Sequence, residues 1–264
     1  MDFAILRHGE ACQHKKAAVL IGINYAGTSS ALRGCEADVE CMRDILQTRF
    51  GFSDITIMTQ TAGMRPTQRN ILSVLRNLAQ RSRTDGVEQV VIQYSGHGTY
   101  MRDTSGDDET GHDQAIIDEQ QQFITDDMLR SVLDQFSPWC RVVVVVDACH
   151  SGTGLDLPLG WPAFAPTIIK LANRTAPVAN VLAITGCADG ETSADVAHTD
   201  AHGRIVYGGA MTLALAECMF QSRDVFALMR NMDAWMRARN YSQHPQLSSS
   251  RPLVEGDNLT CWLN

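Results

Sequence analysis

Two stretches of this 264-residue chain decide its fold: EQVVIQYSGHG at residues 88–98 and RVVVVVDACHSG at residues 141–152. Each begins with an apolar run typical of a strand that is buried on both faces of a parallel sheet. Glycine-flanked polar residues follow, with His97 after the first run and Cys149 after the second. Reaction sites form at the carboxyl ends of the strands in open α/β sheets, so we expect these two side chains to be neighbours.

Strand-like and helix-like segments alternate along the rest of the chain. Further strands are predicted at residues 17–23, 54–59 and 179–185, with a last, edge strand at 246–250, and helices at 36–50, 67–81, 125–136, 208–220 and 223–239. This alternation predicts an α/β fold with a mostly parallel central sheet of about six to eight strands and helices on both faces. Two long segments, 99–122 and 154–177, are predicted to be irregular.

The composition restricts the class of protein. The chain is 44% hydrophobic and 20% charged, and no apolar run approaches the roughly 20 residues that a membrane-spanning helix needs. A formal net charge of −8 disfavours a nucleic-acid-binding surface, so we expect neither nucleic acid nor a membrane as a partner. The eight cysteines are scattered, and the first 16 residues lack the features of a secretion signal. Both observations favour reduced thiols and a cytoplasmic location.

His97 and Cys149 form a candidate catalytic pair. His97 would accept the proton of Cys149, the thiolate would attack a carbonyl carbon, and His97 would then protonate the leaving amine. The backbone N–H groups of Gly98 and Cys149 are the candidate oxyanion donors. A phosphatase loop around the cysteine would instead need an arginine six positions later, where this chain has Leu155.

The blocks YSGHG and DACHSG resemble the signature blocks of metacaspases, which are caspase-fold cysteine proteases. The resemblance extends to VLIGINY at residues 19–25, LRGCEADV at 32–39 and ITGCADGETSAD at 184–195. It implies one caspase-like domain and an endopeptidase that forms a thioacyl-enzyme intermediate. The large-subunit-like region would be 17–177 and the small-subunit-like region 178–264, after a leader at 1–16. This order resembles the type I group without its long prodomain.

The resemblance also implies cleavage after arginine or lysine, and the charges agree with it. Asp147 lies two positions before the candidate nucleophile, and Asp38 follows the first strand. Two carboxylates in one pocket repel each other unless a cation joins them, and the guanidinium or ammonium group of the substrate would supply that cation. By resemblance, Ser95 and Cys35 line the same pocket. The alternative for Asp38 is an acid favoured by the dipole at a helix start.

Acidic residues crowd the segment 99–122 and the helix start after it. They do not have the spacing of an EF-hand, and a solvated loop with a helix cap is the alternative explanation. The calcium-binding positions of calcium-dependent metacaspases fall on Asp113, Asp126, Asp127 and Asp156. The resemblance therefore implies Ca²⁺ as an activator that acts on the loop after the nucleophile.

The expected specificity makes Lys15, Lys16, Lys170 and Arg174 candidate sites of self-cleavage. The metacaspase resemblance favours a monomer.

Two other functions stay open. A catalytically silent scaffold would have the same fold, although the chain retains His97 and Cys149. The segment RHGE at residues 7–10 resembles the motif of histidine phosphatases, in which His8 would accept the phosphoryl group. The rest of the chain offers no comparable match to that family.

Overall fold

The computed structural model describes residues 15–102, 112–148, 155–162, 169–170, 175–186, 195–199, 205–254 and 256–264. Its first half contains β1 (Lys15–Gly22), α1 (Cys35–Phe50), β2 (Asp54–Thr59), α2 (Gln68–Thr84), β3 (Val87–Ser95), β4 (Gly98–Arg102), β5 (His112–Ile117), β6 (Phe123–Thr125) and α3 (Asp126–Leu133). Its second half contains β7 (Arg141–Asp147), β8 (Leu159–Pro162), β9 (Ile169–Lys170), β10 (Asn180–Thr185), β11 (Asp195–Thr199), β12 (Ile205–Gly209), α4 (Ala210–Cys218), α5 (Val225–Arg237), β13 (Gln246–Ser249) and α6 (Leu259–Leu263).

An eight-stranded sheet in the order β2-β1-β3-β7-β10-β13-β8-β9 organises the described part of the chain. The first five strands in that order are parallel to one another, while β13, β8 and β9 each pair antiparallel with their neighbours. The predicted mostly parallel α/β sheet is therefore confirmed. Because β7 pairs with β10, the regions 17–177 and 178–264 contribute to one sheet.

The central strands are apolar on both faces because a hydrophobic core lies on each side of the sheet. Alternate valines of β7 point to opposite sides: Val142, Val144 and Val146 join the core with α2 and α3, and Val143 and Val145 join the core with α1, α4 and α5. Full burial of each such side chain contributes about 1.5–3 kcal/mol. The two cores fix the sheet that carries the strand ends. None of the described helices is long and apolar enough to cross a membrane.

Threonine caps define the starts of α2 and α3. The hydroxyl of Thr67 accepts the backbone N–H of Asn70, and that of Thr125 accepts the backbone N–H of Met128, both at 3.3 Å. The predicted helices 67–81 and 125–136 have these two residues as their first positions, and in the structure each is the N-cap of its helix.

The prediction that the last strand lies at an edge is wrong. β13 lies inside the sheet, between β10 and β8. Its outer side is covered because the segment 154–177, predicted to be irregular, contains β8 and β9. These strands have only four and two residues, too few to show a strand period in the sequence. The segment 99–122 likewise contains β4 and β5, which pair antiparallel.

Candidate active site

The carboxyl ends of β3 and β7 meet at the edge of the sheet that carries His97. Ser95 pairs with Asp147 across the two strands, and the N–H of Gly96 donates to the carbonyl of Asp147 at 3.2 Å. His97 follows directly, in the turn between β3 and β4. Cys149 comes two residues after Asp147 and lies outside the described residues. The two strand ends are thus neighbours, while the contact between the two side chains stays a prediction.

The ring of His97 has a defined orientation. Its Nε2 lies 2.6 Å from the carbonyl oxygen of Ser30, which follows β1 in the chain. Because a carbonyl can only accept, Nε2 carries a proton in this arrangement, and Nδ1 of the neutral ring is then the basic nitrogen. The ring of Tyr25 lies against it, with 4.5 Å between the ring centroids. This orientation agrees with the predicted role of His97 as a base, which would then act through Nδ1.

Two buried tyrosines hold the backbone of His97. The N–H of His97 donates to the hydroxyl oxygen of Tyr25 at 3.0 Å, and the hydroxyl of Tyr94 donates to the carbonyl of His97 at 2.8 Å. The two hydroxyls are 2.9 Å apart, and both lie within hydrogen-bond distance of the carbonyl of Ile117. Burial is the main cause that raises the pKa of both tyrosines, so they remain neutral hydroxyls.

The tyrosine pair also explains why residue 96, in the YSGHG block, is a glycine. A Cβ at Gly96 would lie 2.5 Å from the hydroxyl oxygen of Tyr94 and 2.9 Å from that of Tyr25. The role of both tyrosines was not predicted from the sequence. A tyrosine stands near the end of each of these buried strands, and a buried tyrosine hydroxyl usually has a hydrogen-bond partner. This sequence feature could have pointed to the pair. Ser30 had no such signal, because it contributes a backbone carbonyl that any residue would supply.

Asp38 and Asp147 come together at the start of α4. They are buried, with exposed fractions of 2% and 3%. The N–H of Gly209 donates to Asp38 at 2.9 and 3.1 Å from its two carboxylate oxygens. The N–H and the hydroxyl of Thr212 donate to Oδ2 of Asp147 at 2.9 and 3.0 Å. Asp38 does lie in the first turn of α1, but its carboxylate is directed to α4.

The other two predicted pocket residues lie at the same edge of the sheet. Ser95 is buried and accepts a hydrogen bond from the side-chain amide of Gln93 at 3.2 Å. Cys35 begins α1, and its carbonyl packs against Gly22 at the end of β1, where a Cβ would lie 2.3 Å from the carbonyl oxygen. Gly22 in turn pairs with Ser95. The structure thus brings Cys35 and Ser95 to the strand ends that carry Asp147 and His97.

The predicted oxyanion donors are described only in part. Gly98 is the first residue of β4, directly after His97, and Cys149 lies outside the described residues. The oxyanion site therefore stays a prediction.

Three of the four predicted calcium ligands can be placed with their side chains. Asp126 begins α3 and is buried; its two carboxylate oxygens accept the N–H groups of Gln114 at 2.8 Å and of Asp127 at 3.0 Å. Asp127 is exposed. Asp113 precedes Gln114 in β5, so its backbone lies beside Asp126, but its side chain lies outside the description.

Asp156 is linked to the same helix through its backbone. Its side chain is buried, its φ angle is +49°, and its carbonyl accepts a hydrogen bond from Arg130 of α3 at 2.8 Å. Oxygen ligands of this type are those that calcium takes. Among the described side chains, however, no group of three or more acidic, histidine or cysteine residues forms a metal-ligating cluster. The chemistry of the residues fits calcium, and an assembled site stays a prediction.

The candidate cleavage sites differ in their surroundings. Lys15 and Lys16 lie in β1, and Lys16 donates to the carbonyls of Phe50 and Leu263 at 2.8 and 2.9 Å. Cleavage after either lysine would require β1 to leave the sheet. Lys170 is exposed at the end of β9. Arg174 and His8, the latter from the phosphatase-like motif, lie outside the described residues.

Solved structures identify the fold. A protein from Geobacter sulfurreducens matches with a TM-score of 0.65 and 22% identity, covering 92% of this chain and 97% of that one. Caspase-1 from Spodoptera frugiperda matches with a TM-score of 0.57 and 16% identity, covering 93% and 91%. The fold is therefore caspase-like.

Sequence comparisons identify the family within that class. The model of the metacaspase, peptidase C14 domain matches residues 15–158. Metacaspase-1 of Meyerozyma guilliermondii is 32% identical over 91% of this chain and 71% of its own length. Metacaspase-4 of Arabidopsis thaliana is 42% identical over 53% of this chain and 34% of its own length. The chain belongs to the metacaspase family of cysteine peptidases.

Proposed function

We propose that this chain is a calcium-activated cysteine endopeptidase that cleaves peptide bonds after arginine or lysine, with Cys149 as nucleophile and His97 as base. The observation that carries the proposal is the pair of buried carboxylates, Asp38 and Asp147, at the sheet edge that bears His97. A peptidase pocket with two negative charges is suited to a basic side chain.

The orientation of His97 supports its role in the reaction. Nδ1 of His97 accepts the thiol proton of Cys149, and the thiolate attacks the carbonyl carbon of the substrate. The negative charge that develops on the carbonyl oxygen is stabilised by the N–H groups of Gly98 and Cys149. The C–N bond then breaks, and the leaving amine takes its proton from His97. His97 next removes a proton from water, whose oxygen attacks the thioester carbon. The C–S bond breaks, and the proton returns from His97 to the sulfur of Cys149.

The charge of the pocket supports the preference for basic residues. A guanidinium or ammonium group between Asp38 and Asp147 offsets their mutual repulsion and forms charge-assisted hydrogen bonds. An aspartate of the substrate would add a third negative charge to a buried site. We therefore propose that the protein cleaves after basic residues and not after aspartate.

Calcium would be held by Asp113, Asp126, Asp127 and Asp156. Bound there, the ion supplies positive charge that offsets the repulsion among these carboxylates. Asp156 lies seven residues after Cys149, so a ligand at this position couples the loop after the nucleophile to α3. Activation requires that the ion binds the competent arrangement of the loop more tightly than the others.

We also propose that the protein is a monomer. β13 is paired on both sides, with β10 and β8, so it has no open edge to pair with the same strand of a second copy.

One assay tests the reaction class, the specificity and the activation. Fluorogenic peptides ending in Arg, Lys or Asp are incubated with the protein in excess Ca²⁺ and, separately, in excess chelator. We expect cleavage after Arg and Lys only, and only with Ca²⁺. Equal rates in chelator would contradict calcium activation, and cleavage after Asp would contradict the specificity. Cys149→Ala and His97→Ala are the controls, because a catalytically silent scaffold would show no difference between these variants and the parent.

A further inference from the structure

The start of α4 lacks a cap of its own. The helix has nine residues, and its N-cap residue, Gly209, offers no side chain to accept the N–H groups of the first turn. Such groups need partners when they are buried. Thr212, the third residue of the helix, is fully buried, so water does not supply them.

The two carboxylates of the proposed specificity pocket cap α4 instead. Asp147, from β7, accepts the N–H of Thr212, and Asp38, from α1, accepts the N–H of Gly209. In an ordinary capping box these two N–H groups are bonded by side chains of the same helix. Here the partners come from elements 65 and 171 residues away in the chain. The positive end of the helix dipole also stabilises both negative charges.

Glycine at position 209 leaves room for both carboxylates. A Cβ there would lie 2.0 Å from Oδ2 of Asp147 and 2.9 Å from Oδ2 of Asp38. A Cβ at Gly208 would lie 3.1 Å from Oδ1 of Asp38, and one at Gly186 would lie 3.2 Å from Oδ1 of Asp147. Glycines therefore lie against both carboxylates, and a side chain at 209 would collide with both of them.

We propose that Thr212 and Gly209 are positioning residues that determine specificity for basic side chains: they hold Asp38 and Asp147 at the spacing that the cation of the substrate bridges. The inference rests on the proposed cleavage after arginine or lysine. Like charges move apart unless donors hold them, and a pocket that is already arranged for its ligand binds more tightly than one that must be rearranged. The N-terminus of α4 supplies those donors before the substrate arrives.

The hydroxyl of Thr212 allows a direct test, because its N–H is present in every variant. Thr212→Val removes the hydroxyl and keeps the shape, while Thr212→Ser restores the hydroxyl. For the Arg peptide we expect Thr212→Val to raise KM about tenfold with little change in kcat, as for the loss of one hydrogen bond to a charged group. Thr212→Ser should recover most of the parent KM. Gly209→Ala should raise the KM for the Arg peptide further, since its Cβ would collide with the carboxylate of Asp147.

Thr185→Val is the matched control. Thr185 is also a buried threonine, and its hydroxyl has no hydrogen-bond partner within the described part of the chain. We expect the KM of this variant to equal that of the parent.

Two further measurements distinguish an effect of Thr212→Val on the specificity pocket from an effect on the nucleophile. Iodoacetamide is small and neutral and does not need the basic-residue pocket, so its rate of reaction with Cys149 should be equal in the parent and in Thr212→Val. Agmatine, a guanidinium compound, should raise the melting temperature of the parent more than that of Thr212→Val.

The outcomes are distinguishable. An unchanged KM in Thr212→Val, in a parent that cleaves after Arg, overturns the inference and leaves the proposed function standing. A parallel loss of reactivity with iodoacetamide would give Thr212 a general structural role and would also overturn it. A parent that cleaves after neither Arg nor Lys contradicts the proposed function itself.

Discussion

His97 is held at its ring and at its backbone by different residues. Ser30 orients the ring, and the hydroxyls of Tyr25 and Tyr94 bind the N–H and the carbonyl. A general base must lie within hydrogen-bond reach of the proton that it takes, so in the proposed mechanism small displacements of this turn would lower the rate. In the proposed mechanism the two tyrosines are therefore positioning residues, and neither hydroxyl needs to touch the substrate.

Tyr25→Phe tests this arrangement. The change leaves the N–H of His97 without its acceptor, which costs about 1–3 kcal/mol. We expect a lower melting temperature and a kcat reduced about tenfold or more, with KM for the Arg peptide unchanged. Tyr241→Phe is the control, because the ring of Tyr241 packs against Trp235 on the other side of the sheet. Equal kcat values for Tyr25→Phe and the parent would show that the hydroxyl does not position His97.

The cysteines should differ strongly in reactivity. Burial is the main cause that raises the pKa of Cys41 to about 11 and that of Cys140 to about 12. A raised thiol pKa means that the protonated form persists at pH 8, and a protonated thiol is a poor nucleophile. With limiting iodoacetamide at pH 8, we expect Cys149 to be modified first and Cys41 and Cys140 to stay unmodified. Peptide mapping by mass spectrometry measures this, and early alkylation of Cys41 would contradict it.

The first turn of α3 links a helix cap to the proposed calcium site. Thr125 caps the helix, and Asp126 and Asp127 are its first two residues. Loss of the cap allows this turn to fray, and the carboxylates then lose their fixed positions. The calcium response should therefore depend on a residue that is not itself a ligand.

Thr125→Ala and Thr67→Ala form a matched pair. Each removes a threonine cap with the same 3.3 Å hydrogen bond, and each should cost about 1 kcal/mol in urea unfolding. Only Thr125→Ala should raise the Ca²⁺ concentration needed for half-maximal peptidase activity, because α2 carries none of the proposed ligands. A similar shift in both variants would instead indicate a general loss of stability.

In the described part of the molecule, the main sheet has two edge strands, and one of them is very short. The sheet ends in β2 on one side and in the two-residue β9 on the other. Short edge strands are one of the means by which proteins avoid pairing between sheets. β13 is not accessible, because β8 lies on its outer side.

Sedimentation equilibrium tests the oligomeric state. We expect a single species with the mass of one chain over a wide range of protein concentrations, with Ca²⁺ and with chelator. Cys149→Ala serves as the sample, so that self-cleavage does not change the mass during the run. A dimer that grows with concentration would contradict the proposal.

The sequence predicted those parts of the fold and site that depend on neighbouring residues. The valine run of β7, the helical spacing in α1 and the threonine caps are local patterns, and they identify strands, helices and helix starts. The motifs around His97 and Cys149 predict a reactive pair in the same way, and that pair stays a prediction. Short strands such as β8 and β9 escape this kind of prediction, because two to four residues carry too little pattern.

Tertiary structure alone decided how distant elements meet. It placed β13 inside the sheet, set the carbonyl of Ser30 against His97, and directed Asp38 and Asp147 to the start of α4. The physical reason is that these contacts join residues far apart in the chain. Their partners are selected by packing of the two cores and by the need to satisfy buried N–H groups, which no local stretch of sequence records.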